Sequence, residues 1–172
     1  MRPLLTPSAL ALSALALLGV TACASSPKPA EPGGDTIKVN HKAERKIFSG
    51  TPDKFTGEVT VDMLFTPTSH RRASGATVRF SPGARTAWHS HPSGQTLVVT
   101  EGQGWVQQRG GERVEMKPGD VIWTPPGVEH WHGASADAAV AHIALQDQVG
   151  GKVVEWGAHV TDAQYQGEQA AQ

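Results

Sequence analysis

The 172-residue chain has a single cysteine, a formal net charge of −1 and no cluster of basic residues. One cysteine rules out an internal disulfide. A charge so close to balance lacks the electrostatic footprint of a nucleic-acid binder, so no nucleic-acid partner is expected and a small molecule is the expected one. Helical periodicity is scarce, and no apolar run after residue 23 is long enough to cross a bilayer.

What the chain does have begins at its N-terminus. Arg2 supplies a positive start, residues 9–20 form an apolar run too short to span a membrane, and small residues follow, so residues 1–22 read as a secretory signal peptide. The run ends in Val20-Thr21-Ala22-Cys23, which resembles the lipobox of bacterial lipoproteins. That resemblance implies cleavage ahead of Cys23 and a lipid on its thiol, which accounts for an unpaired cysteine in an exported chain. Residues 23–45 read as a flexible tether, because 24–40 is dense in Pro, Gly and Ser and has no apolar period. The expected location is the periplasmic face of a bacterial membrane, lipid-anchored, with a folded domain at 46–165 and a disordered tail at 166–172. A homo-oligomer stays open.

From about Val59 the chain reads as short strands broken by Gly and Pro at intervals of roughly ten residues, the pattern of an all-β sandwich or barrel. Strands are expected at 60–65, 76–80, 87–91, 96–101, 105–108, 113–116, 120–124, 130–133 and 140–146, with a hairpin turn at 109–112. Thr161 is expected to cap one short helical turn.

Two stretches carry the chemistry. In the first, His89 and His91 lie two apart, so on a strand both imidazoles project to one side, and Gln95 follows after Pro92 and Gly94. In the second, a Pro125-Pro126-Gly127 turn leads to His130, Trp131 and His132. Together they make a constellation of three histidines and one glutamine. Imidazole suits zinc, copper, iron, nickel and manganese, and the glutamine oxygen hardens the site toward the earlier metals. On the last strand His142, Ala144 and Gln146 share one face and Ile143 and Leu145 the other, so either set can face the interior.

The first stretch, running from Gly83 through His89, His91 and Gln95 to Gly102, resembles the first motif of the cupin superfamily, with Gln95 where that motif usually has Glu. The second, from Gly119 through Pro125 and Gly127 to His130, resembles the second motif, with Ala134 in place of its final Asn. The resemblance implies a single double-stranded β-helix, or jelly-roll, barrel holding one divalent metal per chain on His89, His91, Gln95 and His130. His89-x-His91-Pro92-x-x-Gln95, the turn into His130-Trp131-His132, His142 with Gln146, and residues 154–156 with Tyr165 are more narrowly similar to the small manganese-dependent cupin hydroxynitrile lyases. That likeness implies manganese ahead of iron, nickel or zinc. It also implies a pocket lined by Ala76, Val78 and Thr86, and His142, Gln146 and His132 as the catalytic group, with His142 as proton shuttle.

Three functions are open at this level: a metal-dependent lyase of cyanohydrins or related compounds, a cupin dioxygenase, and a lipid-anchored module that binds a metal or small ligand without turnover. A neutral donor set leaves the full dipositive charge on the ion, which favours anionic ligands and Lewis-acid chemistry.

Overall fold

The computed structural model describes residues 36–167. The expectations for the signal peptide, for Cys23 and for most of the tether and tail lie outside those residues.

After a short 3-10 turn at Lys42–Glu44 the chain lays down strands β1 (Ile47–Ser49), β2 (Phe55–Thr56), β3 (Val59–Phe65), β4 (Ala73–Phe80), β5 (Arg85–Thr86), β6 (His89–Ser90) and β7 (Gln95–Gly102). It continues with β8 (Gly104–Gln108), β9 (Arg113–Met116), β10 (Val121–Thr124), β11 (His130–Ala134), β12 (Val140–Asp147) and β13 (Glu155–Trp156), then one helical turn, α1 (Asp162–Tyr165). One antiparallel sheet runs in the order β1-β3-β4-β12-β7-β10. The second runs β13-β6-β11-β5-β2, with β8 on the other edge of β11 and β9 beyond it. This is the expected all-β jelly-roll barrel.

Period-two alternation builds the core. Ala76, Val78 and Phe80 of β4 are buried on one face and meet Leu97 and Val99 of β7, Met116, and Val140 and Ala144 of β12. The register pairs His142 with Val78, Ala144 with Ala76 and Gln146 with Ser74. Directly opposed residues share a face, so the polar set of β12 points inward while Ile143 and Leu145 stay half-buried. The choice left open by the sequence is thereby made by the interior face of β4.

Of the expected strand over 87–91 only His89–Ser90 forms (β6), and a separate short strand, β5, precedes it at Arg85–Thr86. Between β5 and β6 the backbone leaves β11 for other partners: Ala87 N–H donates to the Lys54 carbonyl at 2.7 Å and Trp88 N–H to the Ala158 carbonyl at 2.9 Å. Strands β1, β2 and β13, two or three residues each, carry no sequence signal and were not expected. The hairpin at 109–112 joins β8 to β9, with Gly110 at φ +75°. Thr161 caps α1, its hydroxyl accepting from Gln164 N–H while the Gln164 side chain accepts from Thr161 N–H.

Strand β11 is buried along its whole length, and for two reasons. His130 and His132 face the barrel interior. Trp131 points the other way and is covered by Trp88, between β5 and β6, and by Val160 and Tyr165 of the C-terminal segment, its indole N–H donating to Gln107 Oε1 at 2.8 Å.

Candidate metal centre

His89 and His130 stand directly opposite one another on β6 and β11, and their ring centroids are 4.3 Å apart. His91 follows the end of β6, where a turn closed by Gly94 N–H on the His91 carbonyl reverses the chain into β7. Gly94 is required there: its φ is +76°, and a Cβ would lie 2.4 Å from the Trp123 ring and 2.7 Å from the Thr124 carbonyl oxygen. Gln95 is the next residue, and its side chain is buried with the three imidazoles.

Each of these imidazoles is tied at Nδ1 to a backbone carbonyl: His89 to Ala87 at 3.0 Å, His130 to Val128 at 3.0 Å, and His91 to Val153 at 2.6 Å. A carbonyl only accepts, so Nδ1 carries the proton and Nε2 is left with a lone pair. Burial keeps the rings neutral. It holds His89 well below the usual imidazole range, with the charges of neighbouring histidines adding to the effect, sets His91 at about 4, and lowers His130.

The residues fit a metal ion. Nε2 of His130 and Oε1 of Gln95 are 3.1 Å apart. With its proton on Nδ1, a neutral His130 turns a lone pair toward another lone pair, an arrangement that repels unless a cation lies beside both. Two donors each about 2.1 Å from one ion and at right angles sit about 3 Å apart. Nε2 of His91 is buried and has no hydrogen-bond partner among the described residues.

Among the described residues, His89, His130 and His132 each offer one ring nitrogen within 4.8 Å of the others, and a three-histidine group of this kind can hold a metal. His91 falls outside it. Tautomers separate the two readings. Nδ1 of His132 is 3.1 Å from Nε2 of His142, and among the described residues no other side chain or backbone group partners Nδ1 of His142, which is buried. The lower-cost arrangement puts the His142 proton on Nε2, where it has an acceptor. His132 then accepts at Nδ1 and carries its own proton on Nε2, so it is a donor toward the cavity. His91 offers the lone pair.

His89, His91, Gln95 and His132 border a cavity of about 460 Å³. Ala76, Val78, Thr86, Gln95, His132 and Gln146 are on its wall, and Phe55, Val61, Met63 and Trp156 make much of the rest apolar. Trp156 lies over His89 with ring centroids 4.9 Å apart. His142 is not on that wall: it is fully buried behind His132, against the Phe80 ring, and reaches the cavity only through His132. The proton-shuttle role that the resemblance implies for His142 would act through His132, because the β12 residues that border the cavity are Ala144 and Gln146.

Ser74, Val128, Val153 and Trp156 were not singled out as site residues by sequence reasoning. Ser74 becomes visible once β4 and β12 are set in register; the two carbonyls act through backbone atoms and leave no signal in residue type.

The cupin-domain family model matches residues 76–145. The chain is 53% identical over 129 residues to (R)-mandelonitrile lyase of Granulicella tundricola, covering 75% of this chain and 98% of that protein. A cupin-like protein of Thermotoga maritima of known structure is 45% identical, with a TM-score of 0.66 over 69% of this chain and 90% of that one. A polyketide cyclase of Streptomyces resistomycificus, 20% identical with a TM-score of 0.59 over 76% of this chain and 92% of that one, shares the fold.

Proposed function

The chain belongs to the cupin family, and from that premise we propose that it is a metal-dependent lyase that cleaves and forms the carbon–carbon bond of small cyanohydrins or related 2-hydroxy compounds. The observation that carries the reading is Nε2 of His130 facing Oε1 of Gln95 at 3.1 Å, with the His89 and His91 rings beside them and each ring tied at Nδ1 to a backbone carbonyl, next to a largely apolar cavity. A divalent ion held there, manganese ahead of iron, nickel or zinc, would supply Lewis acidity toward a substrate hydroxyl oxygen. Similarity to a protein named (R)-mandelonitrile lyase supports the same chemistry.

The chain's own residues do the rest. Phe55, Val61, Met63 and Trp156 take the organic part of the substrate and exclude water. When a cyanohydrin is cleaved, the bond to cyanide breaks with its electron pair on cyanide, and one proton moves from the hydroxyl oxygen to cyanide. His132, on the wall and outside the metal-ligand set, offers its Nε2–H as a hydrogen-bond donor to the departing cyanide, which takes up the hydroxyl proton. His142 holds the His132 ring in orientation. Gln146 sits beside Gln95 on the same wall.

The reading includes a place in the cell: anchored by lipid at Cys23 on the periplasmic face of a bacterial membrane, which the Val20–Cys23 run supports. The deciding experiment loads the chain from Cys23 onward with manganese and follows aldehyde release from mandelonitrile alongside oxygen uptake. Cleavage well above that of the same buffer with free manganese is expected, and equal rates would remove the lyase.

A further inference from the structure

We infer that Gln146 and Ser74 are positioning residues that decide which atom of the Gln95 amide faces the ion. The inference rests on the metal site proposed above and adds to it the reason why a neutral glutamine can serve where a carboxylate is usual.

A primary amide is nearly symmetric in shape but not in function: one end accepts, the other donates twice. A carboxylate ligand has no wrong way round. Gln95 does, because turning it over would aim an NH2 group at a cation. Nothing in its own torsions prevents this, since the last side-chain torsion is broad.

The surrounding hydrogen bonds prevent it, and their direction can be traced to one backbone atom. Ser74 Oγ lies 3.1 Å from the backbone carbonyl oxygen of Gln146, which can only accept, so the hydroxyl proton goes there. Ser74 Oγ is then left with lone pairs, and it accepts from Gln146 Nε2 at 3.1 Å. That turns Gln146 Oε1 toward Gln95, where it accepts from Gln95 Nε2 at 3.4 Å. Gln95 has its donor end occupied, and its Oε1 faces the His130 lone pair. A carbonyl on β12 thus sets the direction of three side chains drawn from β4, β12 and β7. Register makes this possible, because Gln146 and Ser74 are paired across the sheet. Ser74 is buried and Gln95 is buried, so water competes poorly for either end of the chain.

The test is manganese binding by the metal-free full chain in detergent, read as free manganese by electron paramagnetic resonance, in two backgrounds. In the chain as it stands, Gln146→Leu should weaken binding by about tenfold or more, and Ser74→Ala should weaken it in the same direction by less. In the Gln95→Glu background, where either oxygen can serve, the same two changes should alter affinity by less than about twofold. Equal losses in both backgrounds would mean that Gln146 and Ser74 only support packing and would overturn the inference, as would no loss in either. A parent chain that takes up no manganese overturns the metal site itself, a different result from a parent that binds and does not respond to Gln146→Leu. Gln146→Met, which keeps the apolar stem and removes the amide, replaces leucine if the melting temperature of the metal-free Gln146→Leu protein drops.

Discussion

Nδ1 of His91 donates to the backbone carbonyl of Val153 across 2.6 Å, joining residues 62 apart in sequence. The carbonyl fixes the ring's tautomer, so a segment beyond the last long strand determines which nitrogen His91 offers.

The tautomers separate the proposed ligands from His132, whose Nε2–H is turned to the cavity, and substitution reads the separation directly. His89→Ala, His91→Ala and His130→Ala should each lower metal retention after dialysis by about a hundredfold or more, because each removes one of four donors. His132→Ala should keep metal stoichiometry near that of the parent while lowering turnover by about a hundredfold. Elemental analysis beside a rate assay distinguishes the two outcomes, and loss of metal from His132→Ala with retention in His91→Ala would exchange their roles.

Removing the ion should cost stability. At a hundredfold excess over the dissociation constant, an ion bound only by the folded state adds about 2.7 kcal/mol. For a domain of this size that is about 5–10 °C in melting temperature. Chelation should lower the midpoint by that amount, manganese should restore it, and a His89→Ala/His130→Ala double variant should respond to neither.

The metal-free protein should weaken in mild acid. Burial holds His142 at about 4, against an ordinary value of 6.5 in the unfolded chain. Between these two values the unfolded state takes up the proton first, so stability is intact above about 6.5, falls as pH drops, and levels off below about 4. The loss from this one buried ring is on the order of 3 kcal/mol. Urea midpoints measured from pH 7 to 4 should fall less steeply for His142→Leu than for the parent, and identical slopes would refute the assignment.

The proposed anchor is tested at Cys23. Mass spectrometry of the native protein should find acyl chains on that residue, and Cys23→Ser should move the protein from the membrane fraction to the soluble one, because the sequence holds no second source of stable attachment. A soluble parent protein with a different N-terminus would exclude lipidation.

Much of the fold was legible because its long strands, β3, β4, β7 and β12, pair over most of their length, and Gly or Pro stands near the ends of β3, β4 and β7. The short strands were not, since two residues of β2 or β13 carry no period. For the site, spacing brings out His89, His91, Gln95 and His130, but it cannot tell which nitrogen each ring presents. That depends on the carbonyls of Ala87, Val128 and Val153, and every residue type supplies a carbonyl. The place of His142 behind His132 was equally hidden, because strand alternation gives the face of a residue and not its depth. Thr161 was readable as a cap because its partner, Gln164, lies only three residues away.

Strand β13 pairs with β6, bringing Trp156 opposite His89 and following closely on the carbonyl that orients His91. Translation runs from the N-terminus, so all four proposed ligands leave the ribosome before the residues that hold two of them in place. Until residues 153–156 have arrived and docked, His91 is free to present either nitrogen and His89 lacks its covering indole. An ion held by the proposed ligands would therefore meet a finished site only after the chain's final strand is made, in whichever compartment that strand folds.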